Sequence, residues 1–155
     1  MVCVCREKLN KILRYEENIM TEEIDNDENG IMISRPGDRI NFVSENNNGD
    51  ICVSDGNVNI VIVVDKKRRV RFRYDGTPAR KEKKFSPRHI VTDSNSHIMV
   101  ADYNNACLHI LDQDGRFLSC VDGLDQPNGM SLDREGRLWV GVASSGDVKV
   151  IQYIK

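Results

Sequence analysis

The residues able to do chemistry are few: five cysteines, Cys3, Cys5, Cys52, Cys107 and Cys120, and three histidines, His89, His97 and His109. The cysteines are odd in number and form no C-x-x-C pair, so their spacing signals neither a disulfide framework nor a zinc site, and free, mostly buried thiols are expected. The histidines fall on or beside β-rich stretches, and nothing in the spacing sets them beside carboxylates. His109, between Leu108 and Ile110, belongs on the opposite face of its strand from those neighbours, as an exposed or hydrogen-bonded structural histidine. G-x-S-x-G, H-E-x-x-H, P-loop and H-x-E-with-paired-cysteine patterns are absent. The expectation is a chain with no catalytic residue, no metal and no cofactor.

Charge offers a second kind of chemistry. The net charge is −2, but eleven basic residues between Lys66 and Arg88 face only Asp75 and Glu82, while the first thirty residues lean acidic from Glu16 to Glu28. In "DKKRRVRFRYDG", period-2 alternation puts Val70, Phe72 and Tyr74 on one strand face and Arg69, Arg71 and Arg73 on the other, with Lys66 to Arg68 at the turn. A cationic strip interleaved with aromatics suits a phosphate backbone, which makes Lys67, Arg68, Arg69, Arg71 and Arg73 the candidate RNA contacts. The favoured alternative is protection of a solvent-exposed edge strand, which Lys and Arg keep from pairing with other chains. The following "ARKEKK" adds charge and also reads as a plain mobile insertion.

The elements that must position these residues come from a repeat. Aligned on Ile51 in "ICVSD", Ile98 in "IMVAD" and Leu138 in "LWVGV", the chain matches itself at many offsets. A second apolar alternation starts ten residues later at Val61, Leu108 and Val148, and fourteen later stand Asp65, Asp112 and Gln152. Eight before the anchor are Val43, Ile90 and Met130, five before it Asn46, Asp93 and Asp133, and two before it Gly49, Ser96 and Gly136. The anchors lie 47 and 40 residues apart, and the insertion "TPARKEKKFS" accounts for the difference. A period near 40 with Asp, Asn and Gly at fixed turn positions is that of four-stranded propeller blades, and the 3.6 periodicity of helical repeats is missing.

In the third unit the alternation places strands at His89 to Thr92, Ile98 to Ala101, Cys107 to Leu111 and Arg116 to Val121, joined by the tight turns "DSNS" and "DQDG" and the longer "DYNNAC". Asp102 repeats Asp55 and is expected to cap its turn with the carboxylate. Near the N-terminus "MVCVC", "KILRY" and "MTEEI" read as three strands of an earlier unit, followed by the turn "DNDENG" and a strand "IMI", with a short helix over Arg6 to Tyr15 as the competing reading. The units become a partial blade over 1–39, blades over 40–83 and 84–123, and a partial blade over 124–155.

With these residues in place the chain resembles the NHL-repeat propellers, and more narrowly the C-terminal propeller of tripartite-motif proteins. The likeness is carried by "FSPRHIVTDSNSHIMVADYNNACLHILDQDGRFL" and "QPNGMSLDREGRLWVGVASSGDVKVIQY", with "GDICVSD" and "VRFRYDG" before them. It implies an all-β fold, an incomplete NHL-type β-propeller of about three and a half four-stranded blades. The last unit departs from the pattern, with Val142 in place of Asp55 and Asp102, and Gln152 in place of Asp65 and Asp112.

The resemblance also implies a role. In that family the propeller sits behind RING, B-box and coiled-coil modules as the substrate-recognition end of an E3 ubiquitin-protein ligase, and some members bind RNA through a positively charged face. The expectation here is a non-catalytic module for a protein partner or ubiquitination substrate, with Arg88, His89, Tyr103, Asn104, Asn128 and Ser145 as candidate rim contacts. RNA binding is the alternative, and a metal-dependent propeller enzyme is a further one whose channel ligands match nothing here. An open arc leaves apolar faces in water, so the expected companions include the missing blades of the same propeller or a second copy. No apolar run approaches the roughly eighteen residues of a membrane span, and the "MVCVCREKLNK" start has the wrong order for a secretory signal, so a cytoplasmic location is expected.

Overall fold

The computed structural model describes residues 2–6 and 9–153, with side chains from residue 11 onward. Among them, fourteen strands form four antiparallel sheets. The first holds β1 (Val2–Arg6), β2 (Leu9–Glu16) and β3 (Ile19–Ile24); the second β4 (Phe42–Glu45), β5 (Ile51–Asp55), β6 (Ile60–Val64) and β7 (Val70–Tyr74). The third holds β8 (Pro87–Thr92), β9 (Ile98–Asp102), β10 (Cys107–Leu111) and β11 (Phe117–Asp122), and the fourth β12 (Pro127–Leu132), β13 (Leu138–Val142) and β14 (Val148–Ile151). Each is a simple meander in chain order. A single 3-10 turn, Thr77–Ala79, is the only helical element among the described residues.

The sheets stack side by side because the middle strands are apolar on both faces. Every residue of β5, β9 and β10 is buried, whereas the outer strand β7 alternates. Along β5, Ile51 and Val53 join Ile12 and Ile24 of the first sheet, while Cys52 between them joins Ile98 and Val100 of the third. Along β9 the same division recurs: Ile98 and Val100 face the second sheet, and Met99 and Ala101 face Leu138 and Val140 of the fourth. The first strands carry the contact from sheet to sheet, β8 against β4 and β5, and β12 against β8 and β9. Each sheet therefore buries its flanks only because it has a neighbour.

The fourth sheet makes the point by contrast. Its inward residues Leu138 and Val140 are fully buried, but Trp139, Val148 and Val150 on the other face are 41%, 63% and 49% exposed. The positions matching Val148, Val61 and Leu108, are both at 0%.

One turn chemistry recurs five times. Asp27, Asp65, Asp93, Asp112 and Asp133 each accept, through Oδ1, the backbone N–H groups two and four residues on. The carboxylate satisfies donors the tight turn would leave bare. The fourth turn residue is left-handed: Gly30, Gly115 and Gly136, but also Arg68 and Ser96, both at φ 65°. A non-glycine residue is strained there, and the Ser96 side chain makes no hydrogen bond among the described residues. Ser96→Gly is expected to raise stability by about 0.5–1 kcal/mol, read as a higher urea midpoint.

The strand reading of the N-terminal stretch holds over its helical competitor, and one expectation needs correction. Residues 9–16 form β2 and not a helix, because Ile12 must reach the core shared with Ile51 and Val53. "IMI" makes a single bridge, Asn26 to Met32, instead of a strand, since the Asp27 turn consumes the backbone donors around it and only Ile33 is buried. No helix among the described residues is long and apolar enough to cross a membrane.

Candidate functional site

Antiparallel meanders separate the loops into two rims. The Asp turns, at 93–97, 112–116 and 133–137, leave one end of the sheets, while the turns at 55–60, 102–107 and 142–147 leave the other, together with the links from one sheet to the next. The six residues predicted as partner contacts fall on this second rim. Pro87 pairs with Asp102 across β8 and β9, and Pro127 with Val142 across β12 and β13, so Arg88 and Asn128 begin their strands at equivalent places beside the turns that carry Tyr103, Asn104 and Ser145.

Arg88 lies over the Tyr103 ring, 5.0 Å from its centroid. Its Nε is buried without a hydrogen-bond partner among the described residues, and the guanidinium leans on the ring. His89 points elsewhere, edge-on to Phe42 at 5.0 Å; burial pushes its pKa below the ordinary value, which keeps the ring neutral at pH 7. Asn104 donates to the Lys84 carbonyl at 3.0 Å, and Asn128 and Ser145 are exposed. The rim thus brings Arg88, Tyr103 and Asn104 together, sets His89 against the second sheet, and leaves Asn128 and Ser145 on the fourth.

The insertion that follows Gly76 is bound to this rim. Asn105 accepts from the Lys83 N–H at 2.9 Å and donates to the Lys83 carbonyl at 2.9 Å, Lys81 pairs with Asp122 at 2.5 Å, and Phe85 and Ser86 are buried. It is therefore a fastened loop, contrary to the plain mobile insertion expected from its composition. Between it and the 102–107 turn opens a cavity of about 510 Å³ lined by Arg80, Lys81, Lys83 and Lys84, with Asp102 among its walls.

The basic strip has a different environment. Val70 and Phe72 are half-buried and Tyr74 buried, while Arg69, Arg71 and Arg73 are exposed. Arg69 pairs with Asp65 at 2.7 Å, Arg71 with Asp50 and with Asp114 at 2.6 Å, and Arg68 reaches Glu22 at 3.6 Å and the Glu23 carbonyl at 3.2 Å. Lys67 and Arg73 have no carboxylate partner among the described residues. Three of the five candidate RNA contacts are already engaged.

Two histidines do meet carboxylates, against the sequence expectation: His97 because the Asp93 turn folds it back on a carboxylate four residues away, and His109 because the β9–β10 register brings it to Asp102. On the first rim His97 Nδ1 is 2.9 Å from Asp93 Oδ2, which also accepts from Tyr153 Oη at 3.0 Å, beside a cavity of about 430 Å³. Burial pushes the Asp93 carboxyl up, but the hydrogen bonds from His97 and Tyr153 outweigh it and hold the group below the usual value. On the second rim His109 is fully buried. Its Nδ1 is 2.8 Å from Tyr74 Oη, and Phe85 lies across the ring at 4.9 Å.

His109 Nε2 is 3.2 Å from Asp102 Oδ2 yet has no aligned hydrogen bond, so the contact is one of charge proximity. Asp102 does cap its turn. It accepts from the Asn105 N–H at 3.4 Å and Asn105 Nδ2 at 2.7 Å within the turn, and from the Ser86 N–H of the incoming segment at 3.1 Å. Asp55 likewise accepts from the Asn57 N–H at 2.8 Å within its turn and from Ser34 Oγ at 3.1 Å and the Arg35 N–H at 3.0 Å. Beside His109 stand Cys107 and Cys120, and hydrogen bonding from the Cys107 thiol holds the Cys120 thiol below its ordinary value. The sequence reading missed this cluster. The signal that could have found it is the Cys107-x-His109 spacing on one strand face combined with the "DQDG" turn, which fixes which residue of β11 lies opposite.

No protein-family model matches the chain, and no curated protein matches it. Solved structures do. A protein of unknown function from Bacteroides caccae superposes with a TM-score of 0.61 at 13% identity, over 99% of this chain and 57% of that one. BamB from Moraxella catarrhalis gives 0.59 at 16% over 81% and 35%, and a catalytically inactive virginiamycin B lyase from Staphylococcus aureus with quinupristin gives 0.56 at 15% over 72% and 40%. The fold is an incomplete β-propeller. The propeller arc spans about 40% of the length of that lyase, and at such identities the likeness is one of fold alone.

Proposed function

We propose that this propeller arc is a non-catalytic, cytoplasmic recognition module of NHL type, and that its second rim selects a protein partner. The observation that carries the reading is the convergence at that rim of the insertion from the second sheet and the 102–107 turn of the third, with the Arg88 guanidinium stacked on the Tyr103 ring beside the exposed Asn104 amide. Tyr and Arg are the side chains that anchor interfaces, and their stacking limits the freedom lost on binding. The tripartite-motif resemblance supplies the setting, in which such a module presents substrates to a RING-type ubiquitin ligase. RNA binding through Lys67, Arg68, Arg69, Arg71 and Arg73 draws less support, since the carboxylates of Asp65, Asp50 and Asp114 already neutralise two of these cations.

Selection of the immobilised full chain against a displayed random-peptide library tests the proposal. Enriched peptides are expected to lose about tenfold in affinity on Tyr103→Ala and on Arg88→Ala, with the thermal midpoint preserved. Binding that neither substitution changes would overturn the choice of rim, and absence of any enriched peptide would overturn the recognition role.

A further inference from the structure

Cys107 and His109 are two apart on β10 and so share a face, and Cys120 of β11 lies directly opposite His109 in the register. The two sulfurs and one His109 ring nitrogen all lie within 4.8 Å of one another. Cys107 and His109 are fully buried and Cys120 is half-buried. A second observation points to a missing ligand. His109 Nε2, though buried, has no hydrogen-bond partner among the described residues, and an orphaned polar atom of this kind is costly. The other ring nitrogen is held by Tyr74 Oη at 2.8 Å, the outer-shell contact that orients a metal-binding imidazole.

We propose that Cys107, His109 and Cys120 bind a zinc ion. Tetrahedral zinc places thiolate and imidazole donors about 3.5–3.8 Å apart, given Zn–S near 2.3 Å and Zn–N near 2.0 Å, so the three side chains need only close in slightly. Charge favours the same ion. Binding forms two Zn–S bonds and releases the two thiol protons to solvent, so the dication and two thiolates make a neutral centre that a buried site tolerates. Two thiolates and an imidazole select a borderline-soft ion over magnesium or calcium. Asp102 Oδ2, 3.2 Å from Nε2, borders the fourth position. The ion would pin β10 to β11 next to the turn at 102–107 and so stiffen the proposed rim.

The test uses the reduced, metal-free full chain titrated with cobalt(II) and then zinc chloride. Expected are a thiolate-to-cobalt charge-transfer band that zinc abolishes, an affinity about 100-fold weaker in Cys120→Ser, and one about tenfold weaker in Tyr74→Phe. A measurement on the unsubstituted chain guards against misfolded variants: zinc should slow alkylation of Cys120, mapped by peptide mass, about tenfold or more. Absence of the charge-transfer band, unchanged zinc affinity in a folded Cys120→Ser chain, or a Cys107–Cys120 disulfide in place of free thiols would each overturn the proposal.

Discussion

Asp102→Ala is expected to cost about 3–5 kcal/mol of folding stability at neutral pH, measured by urea denaturation. The carboxylate is fully buried, and its loss strands the Ser86 N–H and the Asn105 amide together and takes the negative charge away from the buried His109 ring. The effect should depend on pH with a definite sign. Burial pushes the Asp102 carboxyl up, but the close His109 ring and hydrogen bonds from Asn105 and the Ser86 backbone outweigh it and hold the group below its ordinary value. A carboxyl depressed in the folded state contributes stability that is fully present above the unfolded value of about 3.9 and lost as pH falls through the folded one. The gap between native chain and variant should therefore be wider at pH 7 than at pH 3. A gap of equal size at both would assign Asp102 a role in shape rather than charge.

The second large effect is a contrast between two residues at the same place in the repeat. Leu108→Ala should cost about 3 kcal/mol, within the 2–5 typical of emptied leucine sites, because Leu108 is fully buried between the third and fourth sheets. Val148→Ala should cost less than about 0.5 kcal/mol, because Val148 is 63% exposed. Paired thermal melts at several protein concentrations would check both. A Val148→Ala penalty that grows with concentration would mean that a second copy covers the fourth sheet's outer face.

Much of the fold is legible in the sequence because the repeat encodes both strand and turn. The anchors Ile51, Ile98 and Leu138 open β5, β9 and β13, and the offsets at Asp93, Asp112 and Asp133 are those at which a carboxylate must fold back on its own turn. The fourth unit has Val142 where the others carry Asp55 and Asp102, and its turn is joined to the incoming segment without a carboxylate, through the Ala143 N–H to the Gln126 carbonyl at 3.0 Å and Ser144 Oγ to the Asp125 carbonyl at 3.1 Å. Reading fails where a side chain's fate is set by another sheet. His109 has its opposite-face position from alternation, but whether that face meets water or protein depends on Tyr74 and Phe85, which arrive from the second sheet and the insertion. The pairing of Arg71 with Asp114 likewise spans two sheets, and composition could show only an excess of positive charge.

The sole tryptophan of the chain, Trp139, stands on the open side of the fourth sheet with its indole N–H donating to Asp133 Oδ2 at 3.0 Å. Its fluorescence is thus an intrinsic gauge of occupancy there. Anything that settles on this surface dries the indole and shifts its emission to the blue, while a ligand gripping the Arg88 corner leaves the spectrum where it was.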